Sequence, residues 1–243
     1  MRRGNYTLMI KWNKQFEYPA SMRTSIEGKR HYEITGSHLP SVTTILSATE
    51  TAEKQASLAK WREKVGMDTA ARITEQSAAR GTTMHAILED ALEGKNRVDM
   101  TENGVLATRM AQQIIDNAFP KMDEIWGSEV TVYYPGLYAG ATDIVGIYNG
   151  VESIMDFKQS NKPKRREWLG DYKLQLSAYA MAHNQIYGTN IKQGVNLICT
   201  KECLFQEFIF DEEEMKQGCL EFIKRTAQYY AQLTAKTKEN KEE

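Results

Sequence analysis

From its amino terminus the chain first alternates polar and apolar positions over short runs. "NYTLMIKW" (5–12) and "KRHYEITG" (29–36) carry that period and predict strands, separated by a stretch holding Pro19 and Gly28. From residue 38 the pattern changes. In "LPSVTTIL", Pro40 and Ser41 stand at a helix start, and "ETAEKQASLAKWREKVG" (50–66) is rich in helix formers and stops at Gly66. "DTAARITEQSAARG" predicts a helix ending at Gly81, and "TTMHAILEDALEG" another ending at Gly94, striped by Met84, Ile87, Leu88 and Ala91. "NGVLATRMAQQIIDNAFP" predicts one more, ended by Pro120.

Strands follow in "GSEVTVYY" from 127, "YAGATDIVGIY" from 138 and "VESIMDFK" from 151. The helix "EWLGDYKLQLSAYAMAHNQIYG" comes next, then the strands "GVNLICT" and "LFQEFIF", then the helix "EEEMKQGCLEFIKRTAQYYAQL". The polar, charged end of the chain predicts a disordered tail. There is no internal repeat and no long linker. The expectation is one α/β (α+β) domain over 1–235: N-terminal strands and helices in 1–76, a core in 77–210, a closing helix in 211–235 and a tail in 236–243.

Asn149-Gly150 is a strong signal for a two-residue hairpin turn, because both central positions need positive φ. Regular pairing outward from that turn sets Asp143 directly opposite Asp156. Like charges so placed destabilise a sheet. Lys158 projects on the same face as Asp156. Ile144, Val145, Ile147, Ile154, Met155 and Phe157 make the pair apolar on both faces, as in a central strand pair. Burying two carboxylates there is costly unless a positive charge lies between them, and oxygen ligands suit Mg2+ or Mn2+. The short pattern is also compatible with a surface ion pair of Asp156 and Lys158, with Asp143 facing water.

Composition narrows the class without naming a partner. The 243 residues are 41% hydrophobic and 26% charged with a net charge of -1, ordinary values for a globular chain. The charge is uneven: "NKPKRRE" (161–167) is basic and "FDEEE" (210–214) acidic. Cys199, Cys203 and Cys219 are too few for a four-thiolate Fe-S cluster and make a disulfide framework improbable, so a reducing compartment is expected. No apolar run approaches a membrane span, and "MRRGNYTLMIKW" lacks a signal-peptide core; a cytoplasmic setting is the expectation, ahead of a mitochondrial one. No G-x-x-x-x-G-K-[ST] loop is present, so no ATP site is expected.

Two helices add companions to the hairpin. His85 and Glu89, in "RGTTMHAILE", share a helical face, as do Gln175 and Tyr179, in "KLQLSAY". Each pair alone would pass as structural. With "GTTMHAILE", the glutamate of "SEVTVYY", "GATD", "DFKQS" and "QLSAY" in this order, residues 80 to 180 resemble the PD-(D/E)XK nuclease superfamily, in particular its RecB-like branch. The proline of that name is absent, since "GATD" reaches its aspartate without one. "LPSVTTIL" and "KWREKVG" extend the likeness toward the mitochondrial genome maintenance exonuclease group and its bacteriophage relatives.

The resemblance implies a restriction-endonuclease-like fold, a central mixed sheet flanked by helices, with a helical N-terminal elaboration. It implies a Mg2+- or Mn2+-dependent exonuclease acting on single-stranded DNA with a free end, in replication, recombination or repair. His85, Asp143, Asp156 and the Phe157 carbonyl would hold the metal. Glu129 would add a second contact or be a strand-edge charge. Lys158 would orient or deprotonate water and stabilise charge on the phosphate, Gln175 and Tyr179 would position the strand or the DNA, and Glu89 would orient His85. "NKPKRRE" leaves the active strand directly, so Lys162, Lys164, Arg165 and Arg166 are expected to meet phosphates. Lys60, Trp61 and Arg62 form a further basic and aromatic cluster, with Trp61 either stacking on bases or anchoring helix packing. The rival readings are a double-strand exonuclease or endonuclease on the same fold, a DNA-binding protein without catalysis, and a metal-dependent hydrolase of small phosphates, against which the basic run and the helical extension argue.

Overall fold

The computed structural model describes residues 10–242, with side chains through residue 236. Most of the predicted first strand lies outside the described residues, and only its end forms β1 (Lys11–Trp12). β2 (Met22–Ile26), β3 (Lys29–Ile34) and β4 (Ser37–Pro40) then build a small antiparallel sheet, of which only β3 stands out as an alternating run in the sequence. Helix α1 (Val42–Ala48) begins where Ser41 caps it, its hydroxyl accepting from the Thr44 amide at 2.9 Å. α2 (Ala52–Val65) is capped by Thr51 and ends on Gly66 at a positive φ.

The next two predicted helices are one. α3 (Met67–Leu92) runs straight through Gly81. A glycine inside a helix costs about 1 kcal/mol relative to alanine. Its use here is proximity, since a Cβ at Gly81 would sit 3.3 Å from Cγ of Gln159 on the neighbouring strand. The break predicted at Gly81 is instead a close approach of helix to sheet. α4 (Glu102–Ala118) follows, capped by Thr101.

The main sheet comprises β5 (Met122–Tyr134), β6 (Tyr138–Tyr148), β7 (Val151–Ser160), β8 (Gln193–Thr200) and β9 (Phe205–Phe210), with β1 on the outer edge of β5. β5, β6 and β7 run antiparallel in sequence, β7 and β8 are parallel across the intervening helix α5 (Gly170–Tyr187), and β9 returns antiparallel. The sheet is therefore mixed, with β6 and β7 at its centre. The last helix, α6 (Glu212–Glu242), continues past 235, where the sequence reading ends it and expects a disordered tail. Lysine and glutamate, which make up most of that stretch, are good helix formers, which favours continuation.

Alternation along the central strands feeds two cores. Ile144, Met155 and Leu197 face α3 and α4, packing with Met84, Leu88, Met110 and Ile114. Val145, Ile154 and Ile198 face the other way, against α1, α5 and α6 through Ile45, Leu176 and Phe222. With apolar side chains on both faces, β6 and β7 can carry ionisable groups only where the packing opens. Among the described residues no helix is long and apolar enough to cross a membrane.

Candidate active site

The opening lies at the end of the β6–β7 pair away from its turn. From Tyr148↔Val151 to Ile144↔Met155 the ladder is regular, in the register predicted from Asn149-Gly150. Beyond it the expected Asp143–Asp156 pairing gives way. Asp143 Oδ2 accepts the Phe157 amide at 2.6 Å, so a side chain takes the place of a backbone acceptor. On the other flank Ser128↔Ile144 and Val130↔Thr142 bracket Glu129, which sits at φ 52° next to Asp143. Asp156 in turn pairs with Asn196 on β8. Glu129, Asp143, Asp156 and Asn196 thus form one row across four strands.

Helix α3 brings His85 to this row, with Nδ1 3.4 Å from Asp143 Oδ1. One ligand atom each from His85, Glu129 and Asp143 fall within 4.8 Å of one another. Asp156 is outside that trio. It is 3% exposed, and its Oδ2 takes the ammonium of Lys158 and the Asn196 amide, the latter at 3.3 Å. Phe157 enters through its N–H. Glu89, one turn beyond His85, lines the same cleft together with Gln175 and Tyr179. Gln175 Nε2 donates to the Tyr179 hydroxyl at 3.0 Å.

The glycine of "GATD" is explained by Tyr179. A Cβ at Gly140 would lie 2.4 Å from the Tyr179 ring, so only glycine lets that buried ring lie against β6.

The charges respond to crowding. Burial raises the Asp156 carboxyl to about 6, with Asp143 adding to the rise and Lys158 opposing it. Although Glu129 keeps exposed surface, desolvation in the cleft and then the neighbouring Asp143 carboxylate push it up to about 8. Burial opposes the His85 charge, but Asp143 outweighs it and raises the imidazole to about 9. Asp143 moves the other way: against its burial, His85, Lys158 and the Phe157 amide hold it below the usual carboxylate range. Lys158 is raised despite burial, because Asp156 and Asp143 stabilise its charge.

No family model matches the chain. Curated relatives do: it is 28% identical over 174 residues to mitochondrial genome maintenance exonuclease 1 of Mus musculus, covering 68% of this chain and 50% of that protein. The Homo sapiens protein of that name is 26% identical over 172 residues, with 68% and 50% covered. The chain resembles nucleases of the PD-(D/E)XK type. It spans about half the length of the curated relatives it matches. Among solved structures, a putative exonuclease from Eubacterium rectale aligns with a TM-score of 0.47 at 13% identity, covering 63% of this chain and 67% of that one. An alkaline exonuclease from Laribacter hongkongensis aligns at 0.36 and 14%, covering 66% and 83%.

The residues expected to meet nucleic acid on this nuclease-like frame divide. Lys162, Lys164 and Trp61 line one groove beside the cleft. Lys60 and Arg62 flank Trp61 on α2, exposed and outside that lining. Arg165 stacks over Trp168, 5.3 Å from the ring centroid. Arg166 turns away, bonding Glu214 at 2.6 Å and the Ile209 carbonyl at 2.8 Å, and so ties the loop to α6 and β9. Asn196 and Trp168 join the site and the groove without a motif in the sequence to announce them. Asn196 lies in "GVNLICT", an asparagine in an otherwise apolar strand, which is the signal that could have found it.

Proposed function

We propose that the chain is a divalent-metal-dependent deoxyribonuclease that hydrolyses phosphodiester bonds from free ends of single-stranded DNA. The observation that carries this reading is the row of three carboxylates from adjacent strands, joined by His85 and Lys158 in one cleft. The donor set fits Mg2+ or Mn2+: hard carboxylate oxygens and one imidazole, two of the carboxylates almost fully buried and in need of a cation. His85, Glu129, Asp143 and Asp156 would hold it. Such an ion supplies Lewis-acid polarisation of the phosphate and a bound water of lowered pKa.

The chain's own residues do the rest. Asp143 keeps its negative charge and, through Phe157, fixes β7 relative to β6. Lys158 stays cationic beside Asp156, which suits it to stabilise charge growing on the scissile phosphate rather than to take a proton from water. Tyr179 remains a neutral phenol; its oxygen accepts from Gln175, leaving its own O–H to donate into the cleft. Glu89 lies one turn from His85 and supports its orientation. The likeness to curated exonucleases supports DNA as the substrate.

The test is digestion of end-labelled linear and covalently closed circular single strands, beside matching duplex, with Mg2+, with EDTA and with Asp156→Asn. Metal- and Asp156-dependent loss of linear single strands alone is the expected result. Cutting of circles would make it an endonuclease, preferred digestion of duplex would reassign the substrate, and no cutting at all would leave a DNA-binding protein.

A further inference from the structure

Beside the catalytic cleft runs a groove of about 1070 Å³, bounded by α2, α3 and the chain leaving β7. The two share Tyr172, whose ring lies 5.5 Å from the Lys158 ammonium. Lys162, Lys164 and Lys201 line the groove with Trp61 and Trp168, and among the described residues no carboxylate does. Trp168 is 58% exposed even with Arg165 over its ring, an unusual state for a tryptophan.

At the base of this groove is Arg80, the residue that opens "RGTTMHAILE" and to which the catalytic reading gives no task. Arg80 is only 8% exposed. All its hydrogen bonds go to neutral oxygens: Gln159 Oε1 accepts from Nε at 3.1 Å and from Nη2 at 3.0 Å, and Nη2 also reaches Asn161 Oδ1 and, at 3.5 Å, Ser77 Oγ. Nη1 has no acceptor among the described residues, and Arg80 forms no ion pair there. Glu202, the nearest acidic influence, is engaged with Lys201. A guanidinium taken this far out of water without an anion is costly. Its planar fork is suited to a phosphate, and here one edge is fixed by amide oxygens while the other remains open.

Resting on the nuclease reading, we infer that Arg80 is the seat of a backbone phosphate of the bound strand, away from the scissile one, with the strand following this groove and a base covering Trp168. The groove then holds the strand by two independent means, of which one selects for single strands. Arg80 and the lysines hold phosphates, which duplex DNA also offers, and the exposed indole takes a base face that duplex DNA keeps stacked. Gln159 and Asn161, directly beyond Lys158 on β7 and its loop, tie the seat to the catalytic strand, so a phosphate on Arg80 would set the register of the strand in the cleft.

The test is binding of a dye-labelled single-stranded oligonucleotide by the full chain in EDTA, followed by anisotropy across a salt series. Arg80→Gln should reduce the slope of log K against log salt by about 0.7, the share of one phosphate contact on a single strand, while Arg80→Lys keeps the wild-type slope. Trp168→Ala should weaken binding by about 5- to 150-fold with the slope unchanged, and quenching of tryptophan emission by the oligonucleotide should fall in Trp168→Phe. An Arg80 that only braces α3 against β7 would leave the slopes parallel, and that result overturns the inference while sparing the nuclease reading. Absence of binding and cleavage in the wild type overturns both. Should Arg80→Gln lose the wild-type thermal transition, single uncharged methylphosphonate linkages walked along the oligonucleotide test the wild type directly. One linkage outside the cut site must then weaken binding, and indifference at every such linkage overturns the seat.

Discussion

The two ends of the β6–β7 hairpin follow opposite rules. At the turn, Asn149 and Gly150 supply positive φ and the strands zip in regular register between two apolar cores. At the far end, an aspartate side chain replaces a backbone acceptor, three carboxylates crowd one row, and a histidine and a lysine are needed to hold them. The first end is built for cohesion and the second holds charge that cohesion alone would expel. The fold accommodates the second because the first fixes its position.

Substitutions at the two ends should therefore separate activity from stability. The largest effect is expected at Lys158→Ala and Asp156→Asn, each lowering cleavage by about 10²–10³-fold or more while the thermal transition holds, measured on end-labelled single strands beside a melt. A variant that melts early would move these groups to the cohesive end. Next is Asn196→Ala, which removes the amide that orients Asp156; metal affinity in a Mn2+ titration should fall by about 10- to 100-fold.

At the turn the pattern should invert. Gly150→Ala, at φ 77°, meets no neighbouring atom but forces a left-handed backbone on a Cβ, at a cost of about 1–2 kcal/mol. Chemical denaturation should show that loss with cleavage unchanged.

The smallest effect is in pH. His85 is raised to about 9, so its contribution to the stability of the metal-free chain is full below about pH 6.5 and is lost as pH rises through about 9. Glu129, raised to about 8, acts in the same direction, because the folded chain holds its proton longer than the unfolded one. Melting in EDTA should therefore decline toward alkaline pH, less steeply in Asp143→Asn, and Mn2+ binding should release protons at pH 7.

Much of this was legible in the sequence, and for identifiable reasons. A two-residue Asn-Gly turn fixes the register as far as Ile144 and Met155, and so carries Asp143 and Asp156 to the same end of the hairpin, although the direct pairing it predicts for them is replaced by the Phe157 amide bond to Asp143. Ser41 and Gly66 mark helix ends through local chemistry that needs no tertiary context. What stayed hidden depends on contacts distant in the chain. Gly81 reads as a helix stop because the strand it lets approach lies far along the sequence. Asn196 acquires meaning only from the parallel β7–β8 pairing across α5, which no local pattern announces. β2 and β4 are short and largely polar or exposed, so they lack the apolar alternation that marks β3. Arg166, one of four basic residues in a single run, turns to α6 and not to the groove, a choice made by Glu214 nearly fifty positions away.

The Phe157 amide has a titratable, metal-competent carboxylate as its acceptor, whereas its neighbours in the central ladder bond to carbonyls. Its nuclear magnetic resonance shift and its rate of deuterium exchange should respond directly to any redistribution of charge on Asp143. The chain thus contains a built-in spectroscopic probe, one proton in the middle of a rigid sheet, through which occupancy of the cleft could be followed without a label and without turnover.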